Sequence, residues 1–358
     1  MFNQYPLSER LLWLFRQTWP VMGEERGMPR APASRSIFQA QSKVRLVFLG
    51  DVMRTHREWV PQVSPSLQER LGEADLVFAN CEGPVLHERI ARRPLFTIRY
   101  AMAREYVEQV MAVTRVPASR WVWSLANNHV GDFGGEGVEK TAATLRSLGA
   151  NVVGLKPWDL IEVGSERLAI QAWTQWENHS IGRALPESLH DEALSKGHRP
   201  NIIRGGAPPS ERHLARIALP HWGLEFRYFP SAEQRQWALQ WVQNDVRLIV
   251  GHHGHVVQPL EWFDHSQSPS LAAYGIGNWL GVQWSWPTKN FGALVVDLET
   301  LGERRGQIAH YEMLCLHRAS RGRRTPEIRL FHEQSERQGE SEAIFRRVGW
   351  LANREPRS

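Results

Sequence analysis

The chain alternates short apolar runs with amphipathic stretches. Residues 43–49, 74–79, 121–125 and Val246–Val250 are mostly apolar and too short for helices. Such runs predict buried strands. Further strand character lies at 151–154, 213–219, 271–274, 291–298 and 307–316, and 161–163 with 167–173 predict a hairpin around Gly164-Ser165. Residues 64–71, 104–113, 133–148 and 233–244 carry helical periodicity. Strand followed by helix, repeated through residue 154, predicts α/β layering. A helix is expected over 8–19 and another over 340–350. Between the first helix and the core, Pro20, Gly23, Gly27, Pro29 and Pro32 predict a loosely ordered linker. Residues 178–212, rich in Gly, Pro and polar residues, read as an insertion or lid-like loop. The chain therefore divides into an appendage (1–42), a main domain (43–318) and a basic extension with a terminal helix (319–358).

Polar clusters recur where the apolar runs stop. They are Gly50-Asp51-Val52-Met53, Asn80-Cys81-Glu82, Asn127-Asn128-His129 with Asp132, His221-Trp222-Gly223 with Glu225, Gly251-His252-His253-Gly254-His255, and Gly277-Asn278-Trp279. In open α/β sheets, ligands gather at the carboxyl ends of strands. Neutral imidazole is a ligand for zinc, iron, manganese or nickel. His253 and His255 are two apart, so an extended backbone aims both to one side. Each cluster alone has an ordinary alternative. Asp51 can close its own turn, Glu82 can be a loop acid, and Cys81 packs as a small apolar group with nothing nearby in sequence to activate it.

Composition narrows the picture. With 358 residues, 42% hydrophobic and 23% charged, the chain fits a globular protein of one large domain or two smaller ones. Its sixteen Trp favour a tryptophan-rich core over an aromatic-lined groove. The net charge of +5 is a mild surplus, and the cluster Arg321, Arg323 and Arg324 reads as a solvated rim. No nucleic-acid-binding signature appears. Two Cys, Cys81 and Cys315, exclude a disulfide framework and fit a reducing compartment. No run approaches the ~20 apolar residues of a membrane span. Leu11-Leu12-Trp13-Leu14-Phe15 is too brief for a signal-peptide core, and Glu9 precedes it. The expected location is cytoplasmic or peripheral to the envelope, with the first helix touching a membrane or the main domain.

The order of the six clusters resembles the CapA family, the poly-γ-glutamate capsule synthesis proteins, over roughly residues 43–300. That family in turn resembles the calcineurin-like metallophosphoesterases. The resemblance implies a four-layer α/β/β/α sandwich of two mixed sheets, with a dinuclear metal site at the strand ends. Three positions depart from the patterns. Met53 stands where many phosphoesterases have His, Glu82 where they have Asp, and Trp279 where the CapA pattern often has Phe.

On this reading Asp51, Glu82, Asn128, His221, His253 and His255 converge on divalent metal, expected as two ions of manganese, iron or zinc. Mixed oxygen and nitrogen donors suit those metals better than calcium. His129 is expected as the acid that protonates a leaving group or steadies negative charge, with Asp132 orienting it. Glu225 is expected to orient His221, and Asn278 to tie down a turn. Two functions remain open at this point. One is a metal-dependent hydrolase of a phosphoester or a γ-glutamyl amide. The other is a non-catalytic capsule or envelope assembly factor that binds an anionic polymer, with a degenerate relative kept for partner binding as its limiting case.

Overall fold

Apolar runs become strands here because each is covered on both faces. The computed structural model describes residues 5–86, 101–178, 209–264, 268–283, 285–319, 327–333 and 337–351. In chain order the elements are α1 (Leu7–Thr18), β1 (Ser34–Ser36), β2 (Lys43–Val52), β3 (Gln62–Val63), α2 (Pro65–Gly72), β4 (Leu76–Cys81), α3 (Arg104–Ala112), β5 (Trp121–Ser124) and α4 (Gly134–Ser147). There follow β6 (Asn151–Val153), β7 (Asp159–Val163), β8 (Glu166–Thr174), β9 (Ala215–His221), α5 (Ala232–Gln243), β10 (Val246–Val250), β11 (Leu260–Phe263) and β12 (Ser270–Ala273). The chain closes with β13 (Asn278–Leu280), β14 (Asn290–Glu299), β15 (Ile308–Ala319), β16 (Glu327–Leu330) and α6 (Gln338–Arg347).

Two mixed sheets result. The first runs β3-β16-β15-β14-β2-β4-β5-β6, with β1 added on β15 and β13 on β2. The second runs β11-β12-β10-β9-β8-β7. β2, β4, β5 and β6 are parallel neighbours in the first sheet, and β8, β9, β10 and β12 in the second. Buried side chains of both sheets form one continuous core. Helices α2 and α4 lie on the first sheet and α5 on the second, which makes the expected α/β/β/α sandwich. Trp121, Trp123, Trp222, Trp279 and Trp350 are among its largest fully buried side chains, as the tryptophan content predicted.

Local chemistry sets where the strands stop. Ser231 and Gln234 form a reciprocal capping box that starts α5 just after the β9 loop. At Gly251 the requirement is closeness rather than a turn. A Cβ there would lie 2.1 Å from the Tyr274 carbonyl oxygen and 2.4 Å from the Trp222 indole nitrogen. At Gly50 a Cβ would lie 1.8 Å from the Gly277 carbonyl oxygen, so β13 reaches β2 only because position 50 has no side chain.

The residues ahead of β2 differ from the expected loose linker. Tyr5, Met28 and Ala31 are buried. Val21 exchanges backbone bonds with Phe226 and Tyr228, and β1 adds to β15. The glycines and prolines bend this segment along the core surface, where its apolar side chains find cover. At the other end Phe345 and Trp350 of the terminal segment are also buried. Cys81 is buried with its thiol pushed up by desolvation, in keeping with a packing role. Most of the stretch 178–212, and Arg321, Arg323 and Arg324, fall outside the described residues. Among the described residues no helix is long and apolar enough to cross a membrane.

The glycine geometry gives a direct check. Gly251→Ala forces its new methyl into backbone and indole atoms and is expected to cost about 2–3 kcal/mol of stability. Denaturant unfolding of the variant against wild type measures it; an unchanged midpoint contradicts the close approach.

Candidate metal centre

The carboxyl ends of parallel strands from both sheets meet at one place. Asp51 lies at the end of β2, Glu82 directly after β4, and Asn127, Asn128 and His129 just beyond β5. From the second sheet come His221, the last residue of β9, and His252 to His255 after β10. Asn278 opens β13 and pairs in register with Asp51.

Side-chain atoms interlock across this junction. Ligand atoms of Asp51, Glu82 and His255 lie within 4.8 Å of one another, as do those of Glu82, His221 and His253, and those of Glu225, His253 and His255. His255 Nδ1 is 3.4 Å from Asp51 Oδ2, and its Nε2 is 3.8 Å from Glu82 Oε1. His221 Nε2 is 3.6 Å from the same Glu82 oxygen and 2.8 Å from Asn128 Oδ1. Asn80 ties the two sheets: its amide nitrogen donates to Asp51 Oδ1 at 2.7 Å and to His221 Nδ1 at 3.1 Å. Asn127 braces the scaffold by donating to Asn80 Oδ1 at 3.1 Å and to the Cys81 carbonyl at 2.8 Å.

The backbone of the histidine loop differs from the extended chain expected. His253 and His255 have φ of 84° and 55°, the left-handed region that costs a side-chain-bearing residue free energy. Their rings still converge, because the loop coils rather than extends. His252 instead turns its ring to the Leu49 carbonyl, 3.4 Å away, and joins none of the three groups.

Burial and charge set the protonation states. Desolvation, then the neighbouring Asp51 charge, pushes Glu82 well above the usual carboxylate range. Burial acts to raise Asp51 as well, yet the His255 hydrogen bond and nearby imidazoles hold it below its ordinary value. Burial drives His221 and His253 well down, so both imidazoles are neutral; His253 Nδ1 is left without a partner, while each His221 nitrogen meets a side-chain amide. His255 is the exception: desolvation opposes its proton, but the Glu82, Asp51 and Glu225 carboxylates outweigh it and raise its pKa to about 10. Among the described residues no Lys or Arg pairs with Asp51, Glu82 or Glu225. Buried carboxylates without a cation are costly.

The donor set fits a divalent ion. Both Glu82 oxygens and His253 Nδ1 are buried and lack a hydrogen-bond partner. A cation satisfies such atoms, and a mixed carboxylate and imidazole set suits manganese, iron or zinc. Met53 is buried nearby, with Gln283 Nε2 3.5 Å from its sulfur.

Around these six residues lie the others read from the sequence. His129 Nδ1 and Asp132 Oδ2 are 2.8 Å apart, as paired, and burial lowers the His129 pKa despite that carboxylate. Glu225 departs from its expected place: it groups with His253 and His255 rather than orienting His221, and it accepts from Trp13 Nε1 at 2.6 Å. Asn278 does more than tie down a turn, since its Oδ1 is 2.8 Å from His255 Nδ1. Sequence reasoning missed Tyr5, whose hydroxyl is 2.6 Å from His253 Nε2, and Asn178, whose amide nitrogen is 3.0 Å from His129 Nδ1. Neither residue sits in a motif.

Known proteins resemble this arrangement in sequence. The chain is 22% identical over 264 residues to the PGA biosynthesis protein CapA of Bacillus subtilis, covering 69% of this chain and 66% of that protein. It is 25% identical over 274 residues to the capsule biosynthesis protein CapA of Bacillus anthracis, covering 71% and 63%. The matches thus span slightly less than two thirds of each relative's length. Among solved structures, a 5'-nucleotidase from Candida albicans aligns with a TM-score of 0.40 at 9% identity, covering 88% of this chain and 59% of that one. Residues 45–283, which hold Asp51, Glu82, Asn128, His221, His253 and His255, match the family described as bacterial capsule synthesis protein PGA_cap, and the chain belongs to that family.

Proposed function

We propose that this chain is a metal-dependent hydrolase of poly-γ-glutamate or capsule metabolism, acting on a phosphoester or on a γ-glutamyl amide in an anionic polymer. The observation that carries the reading is Glu82. Its carboxylate is buried, has no hydrogen-bond partner, and is shared by two groups of potential ligands. A carboxylate so placed would be a ligand to a divalent cation held by either group.

Asp51, Glu82 and His255 would hold one ion, and Glu82, Asn128, His221 and His253 a second. Divalent ions there would acidify water and polarise the substrate oxygen. The chain's own residues do the rest. Asn80 fixes Asp51 against His221, so the ligands from the two sheets keep their spacing. Asp132 fixes the His129 ring and its tautomer, and Nε2, 3.2 Å from the Asn178 amide nitrogen, would take the proton given up by the attacking water and hand it to the leaving group. Burial keeps His129 neutral beforehand, which suits proton uptake as its first act.

A second reading is an assembly factor that binds anionic polymer without turnover. Met53 favours it, because a thioether is a poor ligand for hard divalent ions and leaves the first position one donor short.

Three outcomes test the proposal. Purified wild type is expected to carry divalent metal that His253→Ala and Glu82→Gln lose; equal metal content in all three rules the site out. His129→Ala is expected to keep its metal while turnover of a generic phosphodiester, or of poly-γ-glutamate, falls about 100-fold or more. Polymer binding without turnover moves the assignment to the second reading, and chelator-insensitive turnover overturns the metal dependence. Metal affinity is also expected to rise with pH. Below about 10 the metal-free His255 is protonated, and the ion must displace that proton. Affinity therefore climbs about tenfold per pH unit near neutrality, as calorimetry across that range will show.

A further inference from the structure

The N-terminal helix lies outside the family-matched residues 45–283, yet its segment reaches the centre of the cluster. Tyr5 is buried, and its oxygen is 2.6 Å from His253 Nε2. The Tyr5 ring meets Trp176 edge-on with centroids 4.8 Å apart, which fixes the phenol's direction. Arg10 Nε donates to the Tyr5 carbonyl at 2.8 Å, which ties the helix to its own start, and Arg227 Nη2 donates to Glu9 at 2.6 Å, which ties the segment to the main domain. One turn further, Trp13 Nε1 donates to Glu225 Oε2 at 2.6 Å.

His253 has two ring nitrogens, and their surroundings differ. Nε2 faces the phenol; Nδ1 is buried with no partner. A buried N–H without an acceptor is costly, whereas an open lone pair on a ring grouped with Glu82 and His221 is what a cation fills. The neutral tautomer that meets both conditions carries its proton on Nε2 and leaves the Nδ1 lone pair open. An imidazole ligand whose second nitrogen donates to an oxygen is held in tautomer and orientation by that bond.

We infer that Tyr5 is a positioning residue of the metal centre: its phenol oxygen accepts the His253 Nε2 proton and so keeps the Nδ1 lone pair open for the ion. The inference rests on the metal-centre reading proposed above. It makes the N-terminal segment a working part of the site, brought in from 248 residues away in sequence. Trp13 serves the neighbouring Glu225 in the same way, by holding one carboxylate oxygen.

The test is manganese affinity of the full chain, measured by chelator competition, for wild type and Tyr5→Phe. The variant keeps the ring against Trp176 and loses only the oxygen. Affinity is expected to fall about 10- to 100-fold, while the metal-free variant still unfolds cooperatively, with a midpoint lowered only by the one lost hydrogen bond. Nitrogen NMR of the histidine rings is expected to report the Nε2-protonated tautomer for His253 in wild type and a mixture in the variant. Leu11→Ser, on the exposed face of the same helix, is expected to bind manganese as wild type does. Equal affinity for wild type and Tyr5→Phe overturns the inference and leaves the metal centre standing. Tighter binding by Tyr5→Phe also overturns it, since the phenol would then be an obstruction. No manganese in wild type overturns the metal centre itself and the Tyr5 role with it.

Discussion

The rest of the structure depends on carboxylates gathered in its interior, where one protonated imidazole, His255, faces three of them. Asp51, Glu82 and Glu225 come together in the interior, and among the described residues the basic side chains grouped with them are imidazoles. Removing carboxylates from water without a counter-charge is expensive. A fold keeps such an arrangement when something else supplies the positive charge. The elevated pKa of His255 shows the same pressure, because that ring holds a proton in a place where desolvation alone would strip it.

Two sheets are needed to build this cluster, and each contributes what the other lacks. The first sheet delivers carboxylates and amides from β2, β4 and the loop after β5; the second delivers imidazoles from β9 and the loop after β10. Asn80 holds the seam by donating to Asp51 and reaching His221. Close backbone contact at Gly50 and Gly251 lets neighbouring segments approach without displacing those side chains. The coiled backbone at His253 and His255 is the local cost of aiming two rings into one small volume.

The N-terminal segment extends this logic beyond the family-matched stretch. It meets the cluster through the polar atoms of Tyr5 and Trp13 and the main domain through Glu9 on Arg227, while Leu7, Leu11 and Phe15 face solvent. A helix that turns apolar side chains outward and specific polar atoms inward is organised around what it touches rather than around its own burial.

The sequence alone determined the strands, helices and six polar clusters, because apolar runs of strand length and helical periodicity are local properties of the chain. It also pointed to Asp51, Glu82, Asn128, His221, His253 and His255, since a polar cluster at the end of an apolar run is visible without coordinates. Short strands such as β1, β3, β11, β13 and β16 were not legible, because pairing with a neighbour rather than their own pattern makes them strands. Tertiary structure alone decided that Glu225 groups with His253 and His255 rather than with His221, that His252 turns away, and that Tyr5 reaches His253. Those relations depend on which loops the sheet order sets side by side, and no stretch of sequence carries that order.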